Sequence, residues 1–276
     1  MSRRLPALSR VLVVLVLLLG VAVKVLPLAW MTSAAFKPLS EVMRVPPTWI
    51  PEAPTLDNFR AVFAQFPFPR YMLNSLIVAA VVVASVLVTS AMAGYAFAKF
   101  DFPGRTVLFV AILASLTVPF QVRMIPLYQM VIGVGWQDTL QGVMFPWLVD
   151  AFGIFLMRQF ITVIPNDLLD AARMDGASEW RIFWQIVTPL TGPALAALGI
   201  FTFLGNWEEF LWPLIVSASD DSRTLPIGLQ TFAEQYGTNT NYQMAGALVA
   251  TLPVLAVFFL LQKQFVEGIT LSGLKG

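Results

Sequence analysis

Cysteine and histidine are both missing from the 276 residues. Their absence removes disulfides, thiolate and imidazole metal ligands, thiol nucleophiles and histidine general bases together. Charge is scarce as well: only 12% of residues are Asp, Glu, Lys or Arg, against about 25% in a soluble domain. The net charge of +1 offers no basic field for nucleic acid. No triad or dicarboxylate metal motif is recognisable, so the chain does not read as an enzyme. What is abundant is apolar: 58% of residues are hydrophobic and mean hydropathy is +0.76. The balance points to lipid as the solvent for most of the chain.

Hydropathy over a window of about 19 residues predicts six spans, near 11–32, 73–97, 106–127, 140–160, 191–216 and 243–265. Each is expected to be helical, because lipid cannot hydrogen-bond a free backbone. The runs are long and lack the alternation of barrel strands, which disfavours a β-barrel. The fold class is therefore an all-α polytopic membrane bundle, read as one domain over 1–276. The first run follows MSRR and continues from Val11 to about Met31, interrupted only by Lys24. That exceeds the roughly 7–15 apolar residues of a signal peptide, so it reads as a retained span.

Lys and Arg in the short loops set the orientation. With the N-terminus inside, the inner set is Arg3, Arg4, Arg10, Lys99, Arg105, Arg158, Arg173, Arg181, Lys263 and Lys275. The outer set is smaller: Lys37, Arg44, Arg60, Arg70, Arg123 and Arg223. Both termini are thus expected in the cytoplasm. The first outer loop is the exception, and its Pro-rich VPPTWIPEAPTLDNF is expected to be irregular or extended. Ala91, Ala93, Gly94 and Ala96 allow close helix approach, either around a pathway or in ordinary packing.

The segment between the fourth and fifth spans, about 164–190, is the most informative. Asn166 follows Pro165 and is expected to cap a helix. Asp167 and Asp170 sit in its first turns, where the helix dipole favours negative charge. Asp170 and Arg173 are spaced i, i+3 as a supportive pair. Gly176 offers a stop or sharp bend. Ser178 is placed to cap a second short helix that begins at Glu179. Trp180, Phe183, Trp184 and Val187 then recur on one predicted apolar face. Pro189 and Pro193 oppose simple continuation into the next span. The result is a helix–glycine–helix elbow beside the membrane, either a docking element or a structured surface loop.

The run DAARMDGASEWRIFWQIVTPL resembles the Glu-Ala-Ala loop of binding-protein-dependent ABC importer permeases. That pattern is Glu-Ala-Ala, three residues, Gly, nine residues, Ile, any residue, Leu-Pro. Asp170, Ala171, Ala172, Gly176, Ile186 and Pro189 fall in register, with Asp170 in place of Glu and Thr188 in place of Leu. The resemblance implies a type I importer bundle. It also implies that the loop is a coupling helix docking on an ATP-binding subunit. Carried over, the coupling residues are Asn166, Asp167, Leu168, Asp170, Ala171, Ala172, Arg173, Asp175, Gly176, Ala177, Ser178 and Pro189. No G-x-x-x-x-G-K-[ST] run occurs in the chain, so ATP and Mg are expected on separate ATPase subunits, with no cofactor here.

GYAFAKFDFPGR, FGIFLMRQF, NWEEFLWPLI, RTLPIGLQTF and QFVEGITLSGLKG are similar to the carbohydrate-uptake group, which includes the second permease of the maltose transporter. Its members carry oligosaccharides, sugar alcohols or glycerophospho-compounds. The implied partners are a second permease, two ATP-binding subunits and an extracytoplasmic solute-binding protein, all at a bacterial inner membrane. Within the fifth span, Asn206, Trp207, Glu208, Glu209 and Trp212 either line the solute pathway or hold helices together. Asp150 in the fourth span carries a similar carboxylate with no face assigned. Gly237, Thr238, Asn239 and Thr240 are carried over as a binding-protein contact or are a plain connector, and the tail from Gly268 to Gly276 as an ATPase contact. An ion-coupled secondary transporter is the alternative, although the halves show no obvious repeat of the kind such folds use.

Overall fold

The computed structural model describes the backbone of residues 7–235, 237 and 239–273, and the side chains from 11 to 262 apart from Gln65, Tyr236 and Thr238. Among the described residues there are helices and no strands. Among the described residues three helices are long and apolar enough to cross a membrane, and three bent pairs bring the number to six if each pair is one span. The chain divides into two compact units, Met1–Phe68 with Leu229–Leu252, and Pro69–Gly228 with Pro253–Gly276.

In the first unit, α1 (Ala7–Ala35) carries the first span, and residues 11–29 are exposed along it. A short α2 (Leu39–Val42) follows, and the chain is then irregular until α3 (Asp57–Gln65), as the prolines predict. Buried polar groups hold this loop. Lys37, fully buried, donates to the Thr48 carbonyl and lies 4.9 Å from the Trp30 ring. The Glu41 carboxylate accepts from Glu52 N and Thr48 Oγ1 at 3.0 and 2.9 Å. The Glu52 N–H, the foremost cause, holds that carboxyl below its usual range. Asn58 Nδ2 donates to the Ala35 and Lys37 carbonyls and its Oδ1 accepts from Asn241, so one side chain stitches three segments.

The second unit begins at Pro69, the second residue of the long α4 (Phe68–Lys99). Its Gly94 touches α8 (Ala151–Thr162) so closely that a Cβ there would lie 2.7 Å from Met157 Cβ and 2.8 Å from Arg158 N. The small residues near the end of this span therefore serve helix contact at least at Gly94. The predicted third span is not one rod. It breaks between α5 (Arg105–Ser115) and α6 (Phe120–Gly133), which meet at 101°. Pro119 lacks an N–H and disfavours helical geometry at Val118, which accounts for the break. The fourth span bends by 46° between α7 (Leu140–Met144), prolonged by a 3₁₀ turn over Phe145–Trp147, and α8. Val78, Val82, Val86, Met157, Ile161, Leu198 and Trp212 belong to the buried core of this unit.

The segment between the fourth and fifth predicted spans comprises α9 (Asn166–Met174), α10 (Glu179–Ile182), a π turn over Phe183–Val187 and α11 (Thr188–Leu190). It bends by 77° into α12 (Gly192–Glu208). The predicted fifth span stops at Glu208 and resumes as α13 (Leu211–Val216). Two further helices, α14 (Leu225–Gln235) and α15 (Thr240–Gly273), follow among the described residues.

Candidate functional site

Two clusters carry the residues singled out above. The first is the elbow. Pro165, not Asn166, is the boundary residue of α9; Asn166 is already helical, and its Oδ1 accepts from Lys99 Nζ at 2.9 Å. Proline suits that place because the first helical N–H groups have no partner to lose. Within α9 only Leu169 is buried, while Asp167, Leu168, Asp170, Ala171 and Met174 are exposed. One face of the helix is thus anchored and the rest is free. Asp170 pairs with Arg173 at 2.6 Å, and Arg173 Nε reaches Glu179 Oε1 at 2.7 Å. Hydrogen bonds to Glu179 and Asp170 push the Arg173 guanidinium still further toward its charged form.

The turn itself needs glycine. Gly176 has φ +80°, in the left-handed region that other residues adopt at a cost. Gly176 N donates to Arg173 O and Ala177 N to Ala172 O, both at 3.0 Å, which closes the helix end. Asp175 and Gly176 are exposed. Ser178 caps α10, its Oγ accepting from Arg181 N at 3.4 Å. The apolar face beyond it differs from the helical expectation. Ile182, Phe183 and Val187 are buried, whereas Trp180 and Trp184 are 60% and 49% exposed. Pro189 has no N–H for the carbonyl four residues earlier, and the wider π turn before it shifts the register of the face.

The second cluster is a cleft of about 210 Å³ walled in part by Trp147, Asp150, Thr202, Asn206 and Glu209. Asn206 Nδ2 donates to Thr202 O at 2.9 Å, while its Oδ1 and the Trp147 Nε1 are buried without a hydrogen-bond partner. Asp150 caps α8, accepting from Phe152 N and Gly153 N at 3.1 and 3.0 Å. The helix dipole favours its negative charge there. Glu209 Oε1 accepts from Trp212 N at 3.1 Å and so caps α13 across the break. A neighbouring cleft of about 290 Å³ shares Trp147 and Asp150 and adds Arg123.

Of the five fifth-span residues expected either to line the pathway or to hold helices together, Asn206 and Glu209 reach the cleft. Trp212 does not: it is fully buried, and its Nε1 donates to Gly142 O at 3.0 Å. Trp207 is 5% exposed and stacks on Phe203, with ring centroids 5.6 Å apart. An indole whose faces are spent on the protein interior is not a platform for solute. Glu208 ends α12 exposed and is not among the cleft walls. Trp147, which sequence reasoning missed, is the aromatic residue that supplies an indole wall. Its neighbour Pro146 was the available signal, because a proline in an apolar run marks a break.

Gly237 and Asn239 lie in the connection before α15; Asn239 O accepts from Tyr242 N at 3.0 Å, and Thr240 is the first residue of the helix. Thr238 lies outside the described residues, as do 274–276 of the tail. A further tie went unnoticed in the sequence. Asp138, at φ +58°, accepts from Ala218 N and Ser219 N at 2.8 and 2.9 Å and from the Ser222 hydroxyl. Burial raises its pKa, but these hydrogen bonds outweigh it and hold the carboxyl well below the usual range. Among the described residues, no group of three or more Asp, Glu, His or Cys is placed to hold a metal ion.

The chain is 38% identical to the arabinooligosaccharides transport system permease protein AraQ of Halalkalibacterium halodurans, over 92% of each chain. It is 36% identical to the lactose transport system permease protein LacG of Rhizobium radiobacter, over 97% of this chain and 96% of that one. It is 32% identical to the sn-glycerol-3-phosphate transport system permease protein UgpE of Yersinia enterocolitica, over 92% and 93%. Its fold matches a chain in the crystal structure of a bacterial ABC transporter involved in the import of the acidic polysaccharide alginate. That match has a TM-score of 0.82 and 23% identity, covering 96% of this chain and 100% of the other. Residues 85–270 match the family described as "Binding-protein-dependent transport system inner membrane component", whose span takes in both the elbow and the cleft. The chain belongs to that family of non-catalytic, multi-pass permease subunits of ABC importers.

Proposed function

We propose that this chain forms a heterodimer with a second permease, is driven by two ATP-binding subunits, and passes a sugar or sugar-like solute inward by alternating access. The solute, an oligosaccharide, sugar alcohol or glycerophospho-compound, would be delivered by an extracytoplasmic binding protein. ATP and Mg belong to the partner subunits. Both termini and the elbow face the cytoplasm, in keeping with the surplus of Lys and Arg on that side. Residues Asn166 to Ser178 dock on an ATPase subunit, and Pro189 ends the elbow. Gly237 to Thr240 meet the binding protein, and the tail meets the ATPases.

One observation carries the reading: a short helix with a single buried residue, reversed at a left-handed glycine and joined at 77° to a span that reaches the cleft. A partner that moves between two nucleotide states can shift such an elbow and bias the bundle. Asn206, Glu209 and Asp150 would meet solute hydroxyls. The names of the relatives, which include arabinooligosaccharide, lactose and sn-glycerol-3-phosphate permeases, support cargo of this class. Reconstitution with the partner subunits in proteoliposomes tests it. Uptake of a neutral oligosaccharide should require ATP and the binding protein. Uptake by this chain alone on an ion gradient would establish the secondary-transporter alternative instead.

A further inference from the structure

The elbow is covalently joined to α8 before it and α12 after it, and side-chain hydrogen bonds also tie it to a third helix, α4. Glu179, the first residue of α10, lies at the centre. Its Oε1 accepts from Arg173 Nε at 2.7 Å, and its Oε2 accepts from the Tyr95 hydroxyl of α4 at 2.7 Å. Tyr95 is 5% exposed, with its ring against Phe100 and Phe183 at centroid distances of 5.2 and 5.7 Å. One turn further along α4, Lys99 Nζ donates to the Ile164 carbonyl and to Asn166 Oδ1. Helix α4 therefore holds the elbow at two points, the start of α9 and the start of α10.

The tie is suited to carrying displacement. Hydrogen bonds to a carboxylate are short, strong and directional. The groove around this one is otherwise apolar, with Met92, Ala96 and Trp180 among its walls, and the Tyr95 end of the tie is buried while Glu179 stays partly exposed. At the adjacent Gly94, α4 is in backbone-level contact with α8, so a push on Tyr95 reaches a packed pair of helices.

We propose that the Tyr95–Glu179–Arg173 chain is a strut that transmits movement of the docking helix to α4, and that Tyr95 is a positioning residue acting through Glu179. This rests on the coupling reading of the elbow. The strut makes α4, and through Gly94 its partner α8, move with the elbow, in parallel with the covalent route through Thr191.

The test uses the whole importer, reconstituted with its partner permease, ATPase subunits and binding protein, and reads solute moved per ATP hydrolysed by the assembled complex. Tyr95→Phe keeps the ring packing and deletes the hydroxyl. Glu179→Gln keeps a hydrogen-bonding group and deletes the charge. Each should lower the ratio at least threefold while hydrolysis continues. A merely structural role would lower yield, or both activities together, and leave the ratio unchanged; that outcome in both variants overturns the strut. Gly176→Val in the same assay separates the two levels. If it uncouples while the Tyr95 and Glu179 variants do not, the strut is wrong and the elbow reading stands. If none of the three uncouples, the elbow reading falls with it.

Discussion

The elbow draws its geometry from one run, residues 164–190, whereas the cleft takes Trp147 and Asp150 from one bent span and Asn206 and Glu209 from another. A surface that meets a protein partner can be built from consecutive residues, because exposure, a cap and a turn are local properties. A cleft for a solute must gather side chains from several directions, and only the packing of separate helices does that. The Asp138 tie belongs with the cleft in this respect, joining positions about 80 residues apart.

The largest expected effect falls on the local side. Gly176→Val places a β-branched residue at φ +80°, at a cost of about 1–2 kcal/mol, and re-aims α9. Solute uptake by the reconstituted importer should fall at least tenfold, the equivalent of ~1.4 kcal/mol, with hydrolysis retained. Normal uptake would remove the elbow from the comparison altogether.

On the non-local side, Asp138→Asn replaces a charged acceptor of three hydrogen bonds. It should cost about 1–3 kcal/mol, read as a lower Tm in detergent. The sign with pH follows from a carboxyl held below its usual value. The stabilisation is complete above the unfolded pKa of about 3.9 and is lost as pH falls through the folded value. The gap between wild type and Asp138→Asn should therefore be constant from neutral to mildly acidic pH and shrink only below that. A gap that grows on acidification would contradict the assigned geometry.

Trp212→Phe keeps most of the buried ring but strands the Gly142 carbonyl, a loss of about 1 kcal/mol. Because Trp212 is a core residue, the KM for solute should not move; a changed KM would return it to the pathway. The smallest effect sharpens the cleft itself. Glu209→Gln should alter the uptake KM roughly threefold, the worth of one hydrogen bond at ~0.7 kcal/mol, and Glu208→Gln by less. The reverse order would place the solute on the other side of the helix break.

Several features were legible in the chain before its fold was known. The Gly176 turn, the Ser178 cap and the Asp170–Arg173 pair each depend on residues within one or two turns of each other. The Pro-rich irregular loop before Asp57 was readable for the same reason. Asn166 was misplaced by one position, because a proline and a polar residue both suit a helix start and only backbone geometry separates them. The third span was expected as one rod although Pro119 sits inside it, since hydropathy averages over a proline that backbone sterics do not. For Trp207 and Trp212 the sequence left sugar contact and helix packing both open, because indoles suit sugars. Indoles suit cores equally well, and the sequence does not say which way a side chain faces.

The sequence by itself determined the solvent of this protein, its helical class and the elbow, because hydrophobicity, capping and left-handed turns are written in neighbouring residues. Which helices bend, which tryptophan meets the cleft, and that Tyr95 should hold Glu179 84 positions away were decided only by tertiary structure. Those outcomes depend on how helices pack against one another, and packing joins residues that no local pattern connects.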